Sequence, residues 1–260
     1  MTSEPTSGGA DLPRVGAPLS LTRTLREAWS VYRLRAPSLI ALFLPLYVVL
    51  DGIQYAVFRG AGLTGPELPA HKVVLGLSVQ FALPALLGSL AAAAAVVLMR
   101  DALVGRSTRL GAAARSLAPL ARELLASGLV AAMLALLMTL PPFYVLLPLL
   151  GSTLVAVLFG PPIVVHVIAL ERKPLRSAWP RSRALLKKNW ARLILYLLVV
   201  ALPLHLLVGL GAQPAGALSV VALLAVDAVL RGLLVPLLLA VAFMGYLDLR
   251  EQKDRPAPAS

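Results

Sequence analysis

The side chains best placed for chemistry are four ionisable groups inside long apolar stretches of the 260-residue sequence. Two of them, Asp227 and Arg231, are four positions apart and therefore lie one turn apart on the same face of a helix. Ionised groups at membrane depth are costly and often mark a path for protons or substrates, so this pair is a candidate intramembrane polar site. The preferred interpretation is structural, with the two side chains paired and the arginine extending towards the interface.

The other two are His166 and His205, which are candidates for a proton relay because imidazole titrates near neutral pH. Neither histidine has a carboxylate at helical spacing on its own face. A neutral imidazole that bonds a backbone carbonyl of a neighbouring helix is the preferred interpretation.

Sets of residues for catalysis or metal binding are not found in the sequence. Cysteine is absent, which excludes disulfides, zinc fingers, iron–sulfur clusters and thiol catalysis, and three histidines do not make a His-rich metal site. Paired carboxylates and a nucleophile with a base are also missing at usable spacing. We therefore expect no enzymatic activity, no cofactor and no metal.

The composition is that of a membrane protein. Hydrophobic residues make up 59% of the chain and charged residues 14%, and the mean hydropathy is +0.85. Soluble domains have about 45–50% apolar and about 25% charged residues. The net charge of +12 is explained by cytoplasmic loops rich in Lys and Arg, so anionic lipid is the expected partner and nucleic acid is not.

The elements that must position these groups are six apolar spans of an all-α integral membrane bundle. A span needs roughly 20 apolar residues to cross about 30 Å of hydrocarbon. Asp51 is expected at the far interface, and Pro161 and Pro162 are expected to kink or split the fourth span. A strongly tilted helix from about residue 218 is the alternative for the last span. The predicted spans are residues 38–58, 73–99, 124–140, 144–170, 193–210 and 228–246.

Three basic amphipathic segments precede pairs of these spans, at about residues 21–35, 107–123 and 174–192. Each has an apolar stripe opposite Arg or Lys, which is typical of a helix lying in the membrane interface. For the first segment the alternative is an amphipathic helix packed on protein. Pro180 predicts a bend in the third. The candidate contacts with anionic lipid or the interface are Arg23, Arg26, Trp29, Arg176, Trp179, Arg183, Lys187, Lys188 and Trp190.

The basic residues also predict the orientation. On one side of the membrane they cluster before the first span, after the second, after the fourth and after the sixth, whereas the other side has only Arg59 and Lys72. By the positive-inside rule both termini are cytoplasmic, and the expected location is the cytoplasmic (inner) membrane of a bacterium. We expect residues 1–20 to form a disordered tail and residues 251–260 a short C-terminal tail.

Further contacts are predicted at the cytoplasmic ends of the fourth and sixth spans. Glu171 and Asp248 lie there, and we expect one or both to pair with arginines of the third basic segment and to orient it against the bundle. In the second span, Ser89 and the small residues 91–95 are available for close helix contact.

The order of basic segment, span, turn and span suggests a repeat. Ala28-Trp29 followed by Arg33 resembles Ala178-Trp179 followed by Arg183. Three copies of one unit, related by an axis along the membrane normal, would account for this order.

Several stretches together resemble a known family. They are Ala28-Trp29 with Tyr32-Arg33, the Pro-interrupted fourth span that ends in Ile168-Ala169-Leu170-Glu171, the segment from Pro174 to Asn189-Trp190, and Tyr246-Leu247-Asp248-Leu249-Arg250. From about Leu21 to Glu251 the chain resembles the membrane domain found in some glycerophosphoryl diester phosphodiesterases, a group of mostly uncharacterised bacterial multi-pass proteins. It departs from the family pattern at Pro180 and Lys188.

The resemblance does not imply phosphodiesterase activity. In those enzymes a separate barrel with a His-Arg-Gly start and metal-binding carboxylates carries out hydrolysis, and each histidine here precedes Lys72, Val167 or Leu206. We therefore expect a non-enzymatic, lipid-interacting scaffold or accessory protein of the cell envelope. The alternative is a transporter or permease component with a site at the broken fourth span.

Overall fold

The computed structural model describes residues 20–61, 70–138, 162–187 and 220–254, with isolated positions between 189 and 199. Within them the chain is helical and contains no strand, as the predicted all-α class requires. A short 3₁₀ helix, Ala118–Leu120, separates two of the α-helices. The α-helices are α1 (Leu21–Gly60), α2 (Ala70–Leu103), α3 (Leu110–Leu117), α4 (Ala121–Met138), α5 (Pro162–Glu171), α6 (Leu175–Leu186) and α7 (Val220–Asp254).

Four helical segments of the described chain are long and apolar enough to cross a membrane: Leu21–Gly60, Leu83–Leu103, Leu110–Met133 and Ala225–Asp254. Large apolar side chains are exposed at helical spacing on the outward faces of α1, α4 and α7. Such faces are unfavourable in water but suit a hydrocarbon solvent. The exposed apolar residues include Val48, Val49 and Ile53 in α1, Leu125, Leu129 and Met133 in α4, and Val226, Val229 and Leu233 in α7.

The centre of the described bundle consists of three helix segments that are buried on every side. They are residues 93–99 of α2, 163–170 of α5 and 240–249 of α7. These three helices all contact one another. A helix that is apolar around most of its circumference must be surrounded by other helices, and these segments are apolar except for His166 and Asp248.

The remaining elements lie in the grooves between these inner helices. α1 packs on α7 and, less extensively, on α2; α4 packs on α2 and, less extensively, on α5. α6 follows the same rule, because it packs on α5 and, less extensively, on α7. Each outer element therefore packs closely on the inner helix that comes before it in the chain and less closely on the inner helix that comes after it. For α1, the inner helix before it is α7, since the bundle closes into a ring.

The helices of the three basic segments, α1, α3 and α6, share one burial pattern. Each element buries an alanine and the residue four positions later. These pairs are Ala28 and Tyr32 in α1, Ala113 and Leu117 in α3, and Ala178 and Ser182 in α6. This pattern and the cyclic packing are compatible with the predicted three-unit repeat, which stays a prediction.

Element boundaries differ from the sequence-based prediction in three places. α1 continues through Pro37 and Pro45, so the predicted helix 21–35 and span 38–58 form one helix. The segment predicted as one helix over 107–123 is divided: α3 ends at Leu117, a 3₁₀ helix that contains Pro119 follows, and residues 121–123 belong to α4.

α7 is a single 35-residue helix, so the turns before residue 228 and residues 251–254 of the predicted tail belong to it. The alternative of a strongly tilted helix also requires one continuous helix here, and its tilt stays a prediction. α6 continues through Pro180. Most of the predicted spans 144–170 and 193–210, the predicted disordered tail and the last residues of the C-terminal tail lie outside the described residues.

α2 and α4 approach most closely where two small residues face each other. The hydroxyl of Ser89 is within donating distance of two backbone oxygens, that of Leu86 at 2.8 Å and that of Leu124 at 3.0 Å. A Cβ atom at Gly128 would lie 2.7 Å from Ser89 Oγ and 2.8 Å from the oxygen of Leu86. The predicted role of Ser89 in close helix contact therefore agrees with the structure, and Gly128 is its partner.

We expect Gly128→Ala to separate α2 from α4 and to lower the free energy of unfolding by about 1–3 kcal/mol, as overpacking does. Thermal unfolding of the purified protein in detergent measures this change. The matched control is Gly88→Ala, where an added Cβ meets nothing within 4 Å. The control should be neutral or stabilising, since alanine favours a helix by roughly 0.5–1 kcal/mol over glycine. Equal stability of the two variants would contradict the close contact.

Candidate functional site

An ion cluster joins α1 to α7, where Asp51 and Arg231 lie in predicted spans and Asp227 lies directly before the last one. Arg231 donates from Nε to Asp227 Oδ1 at 3.0 Å, and its Nη2 contacts Asp227 Oδ2. Its third nitrogen, Nη1, lies 3.5 Å from Asp51 Oδ1. The guanidinium carbon is 5.9 Å from the centre of the Tyr47 ring, which is a favourable position for a cation over an aromatic face.

The cluster forms where the backbones of α1 and α7 approach each other closely. Gly232 follows the arginine, and a Cβ built there would lie 3.0 Å from the Cα atom of Leu44. The absence of a side chain at Gly232 lets α7 lie directly against α1. Tyr47 and Asp51 are one turn apart on α1, so both reach the guanidinium.

The structure adds Asp51 to the predicted pair. Asp227 and Arg231 make the expected i,i+4 contact, but Asp51, expected at the far interface, is only 3% exposed and lies between the helices. Its Oδ2 atom is buried and has no hydrogen-bond partner among the described residues. The cluster therefore contains two carboxylates and one guanidinium. The only sequence signal for this contact is an acidic residue within an apolar span.

His166 is completely buried in α5. Its ring lies 6.1 Å from that of Phe243 and 5.5 Å from that of Tyr246, both on α7. The imidazole is thus part of the packing between two inner helices and is not brought to Asp227 or Arg231. His205, the second relay candidate, lies outside the described residues.

A second ion cluster lies at the ends of α5 and α7. Glu171 accepts a hydrogen bond from Tyr246 at 2.8 Å and contacts Lys173 Nζ at 2.9 Å and Arg181 Nε at 3.4 Å. Arg181 also donates from Nη2 to both oxygens of Asp254, at 2.9 and 2.8 Å. One arginine of α6 therefore links the ends of two inner helices.

The predicted contact between Glu171 and the third basic segment is present in this cluster. The prediction was that one or both of Glu171 and Asp248 pair there, and Glu171 does. Asp248 is buried, and α7 also contributes Asp254, near the end of the helix, which was not predicted. Burial raises the pKa of Glu171, but hydrogen bonds from Lys173 and Tyr246 and the charges of Arg181 and Lys173 outweigh it. The pKa of Glu171 is therefore lower than its ordinary value.

α6 has two different faces. Ala178, Ser182 and Leu185 are buried, and they recur at spacings of three and four. The basic side chains Arg176, Arg183 and Lys187 are exposed. Trp179 is partly buried against the core, at the border of the two faces. Lys188 and Trp190, also predicted as interfacial contacts, lie outside the residues whose side chains are described.

The first basic segment has a similar surface. Arg23 and Arg26 are exposed, and Arg23 pairs with Glu27 at 2.8 Å on the same helix face. Trp29 is 48% exposed, and its ring stacks on Tyr32 at 5.5 Å. An exposed tryptophan beside arginines suits the interfacial position predicted for it.

Two acidic residues for which no role was predicted hold the basic segments in place. Glu123 Oε2 of α4 accepts a hydrogen bond from the backbone nitrogen of Leu175, the first residue of α6, at 2.7 Å. It thus supplies the cap that Pro174 does not. Asp101 accepts from Arg100 at 2.7 and 2.8 Å and from Thr108, and so closes the connection between α2 and α3. The sequence signal for both roles is that Asp101 and Glu123 are the only acidic residues in the arginine-rich stretch 100–123.

Comparison of the chain with protein-family models, with curated proteins and with solved structures gives no match. Among the residues that the structure describes, no group of three or more His, Cys, Asp or Glu side chains is arranged to hold a metal ion.

We expect the Glu171 cluster to make stability depend on pH. Because the pKa is lowered in the folded state, the carboxylate stabilises the protein fully above its ordinary pKa of 4.5, and this contribution is lost as the pH falls through the lower folded value. Glu171→Gln should lower the free energy of unfolding at neutral pH by roughly 1–3 kcal/mol. It should also lose less stability than the wild type on acidification.

Thermal unfolding in detergent at neutral and acidic pH measures both effects. The control is Glu27→Gln, which removes the exposed pair with Arg23 and should change the unfolding free energy by less than about 1 kcal/mol. An acid-induced loss of the same size in wild type and Glu171→Gln would show that this carboxylate does not contribute.

Proposed function

We propose that the protein is a non-enzymatic, six-span membrane protein that binds anionic lipid headgroups at its cytoplasmic face and serves as a scaffold or accessory protein of the cell envelope. Its four apolar helical segments support the membrane location. The cytoplasmic placement of both termini rests on the distribution of Lys and Arg, and the bacterial location rests on the resemblance to the phosphodiesterase-associated membrane domain.

The observation that carries this proposal is the division of α6 into a buried small-residue face and an exposed basic face. If its charges served the packing of the bundle, they would point inwards, as Arg181 does. Arg176, Arg183 and Lys187 instead point away from the buried face. Exposed basic residues of this kind attract anionic lipids with about 1 kcal/mol each near the surface.

The way in which α6 is fixed supports the same function. Glu123 bonds the first backbone nitrogen of α6, Arg181 ties its centre to Glu171 and Asp254, and Leu185 packs into the core. The helix is therefore held at both ends and in the middle, and its basic face keeps a constant position. A constant position is what a lipid-binding surface of a scaffold requires.

A transporter component is the second candidate. The observation in its favour is the cluster of Asp51, Asp227 and Arg231 between two predicted spans, because ionisable groups at that depth often take part in transport. The tight packing of His166 between Phe243 and Tyr246 does not support a relay through α5.

Neutralising the exposed face tests the lipid-binding proposal. For the triple variant Arg176→Gln, Arg183→Gln, Lys187→Gln we expect up to about 100-fold weaker binding of phosphatidylglycerol, because three basic residues contribute about 3 kcal/mol together. Native mass spectrometry of the purified protein, with phosphatidylglycerol and phosphatidylcholine in competition, measures how much of each lipid is retained. Binding of phosphatidylcholine should not change.

A matched pair of single variants provides the control. Arg183→Gln removes one exposed charge from α6, and Arg59→Gln removes one exposed charge from the opposite end of α1. Only the first should weaken the binding of phosphatidylglycerol, by roughly fivefold for about 1 kcal/mol. Equal retention of both lipids by the wild type would overturn the proposal.

A further inference from the structure

The α1–α7 cluster has one carboxylate more than its guanidinium can neutralise. Asp227 takes two of the three nitrogens of Arg231, so that pair is already neutral. Asp51 reaches only the remaining nitrogen, at 3.5 Å, and its Oδ2 atom is buried with no hydrogen-bond partner in the described part of the chain. We propose that Asp51 is a proton-binding site, and that the carboxyl group holds a proton at neutral pH.

Burial identifies Asp51 as the carboxylate that takes the proton. Its side chain is 4% exposed, whereas those of Asp227 and Arg231 are 19% and 28% exposed. An uncompensated ionised carboxylate in an apolar interior costs several kcal/mol, and such a group normally becomes neutral. The proton therefore goes to the group with the least solvent and the weakest ion pair.

The position of the cluster makes ionisation costly. Tyr246 marks the other end of the predicted span. Along the helix axis, Arg231 lies about 22 Å from Tyr246, since a helix rises ~1.5 Å per residue. The hydrocarbon core is about 30 Å thick, so the cluster lies within the membrane and near its far side. A proton can reach Asp51 from that side over a short distance.

In the described ranges, the other charged and titratable groups around Asp51 do not remove the excess charge. On α1 they are Tyr47 and Tyr55, one turn on either side, and on α7 they are the two members of the ion pair. α2 also packs on α1, and Arg100 and Asp101 lie at its opposite end, where they bind each other. The side chains of His71 and Lys72, at the start of α2, lie outside the described residues.

A proton fits this site better than a metal cation does. Arg231 lies within 3.5 Å of Asp51 and repels a second cation at the same carboxylate. Loss of the proton would create a charge that competes with Asp227 for the guanidinium. The contact between α1 and α7 is therefore coupled to protonation, which gives the cluster the chemistry of a proton-coupled membrane protein. This inference needs the membrane location but not the lipid-binding function.

Infrared spectroscopy of the purified protein in lipid nanodiscs tests the proposal, because a protonated carboxyl group has a carbonyl stretch that an ionised carboxylate lacks. We expect this band at neutral pH, where solvent-exposed aspartic acids are ionised. It should shift in deuterated water and be lost in Asp51→Asn. This variant has nearly the shape of the protonated acid, so it should fold with wild-type thermal stability.

Three further variants distinguish the charge imbalance from burial alone. Asp227→Asn should also lose the band, since Arg231 is then free to neutralise Asp51 in its ionised form. Arg231→Gln should strengthen it, since both carboxyl groups then need a proton. The matched control is Asp101→Asn, which removes a buried aspartate with its own arginine partner and should leave the band unchanged.

Three results would overturn the assignment. The first is the absence of the band from the wild type at neutral pH, and the second is its persistence in Asp51→Asn. The third is loss of the wild-type band when sodium chloride replaces choline chloride at constant pH, which would assign the site to a cation. None of these results depends on lipid binding, so the two proposals can fail separately.

Discussion

The pairing of α1 with α7 is the interaction on which the rest of the described bundle depends, because it joins the first and last described helices and completes the ring around the inner helices. Two features fix its register. Gly232 allows the backbone of α7 to lie on Leu44, and Arg231 meets Asp51 only when the helices are aligned in this way. A buried ion pair adds little net stability, so its contribution here is to the choice of one alignment over others.

Close packing of helices, as at Gly232, also organises the bundle as a whole. Segments of three inner helices are buried on every side, and each groove between two of these helices holds an outer element. Hydrocarbon does not drive apolar helices together, so close packing at Gly128, Ala178 and similar positions must supply the attraction. The ring closes only when α1 fills the groove between α7 and α2, which again depends on the α1–α7 contact.

Local patterns in the sequence predicted much of this arrangement. They did not predict contacts between residues that are far apart in the chain. The apolar spans corresponding to α1, α2, α4 and α7 and the i,i+4 pair of Asp227 and Arg231 follow from composition and helical spacing. The contact of Asp51 with Arg231 does not, since no periodicity links positions so far apart in the chain. Likewise, the contact of Asp254 with Arg181 was not predicted, because α7 extends further than hydropathy alone indicates.

The two ion clusters differ in how completely their carboxylates are neutralised. This difference distinguishes a cluster that only holds helices together from one that can bind a ligand. At the cytoplasmic end of the proposed topology, Glu171 has three donors and Asp254 accepts two bonds from Arg181, so the charges there can hold helices in place without further ligands. Between α1 and α7, Asp227 takes the better part of one guanidinium and leaves Asp51 with a single long contact. A helix contact that needed only stability would be served by an apolar residue at that position. Asp51 is instead a buried carboxylate with a contact at only one of its two oxygens. Such a group is suited to binding a ligand reversibly, and the smallest such ligand is a proton.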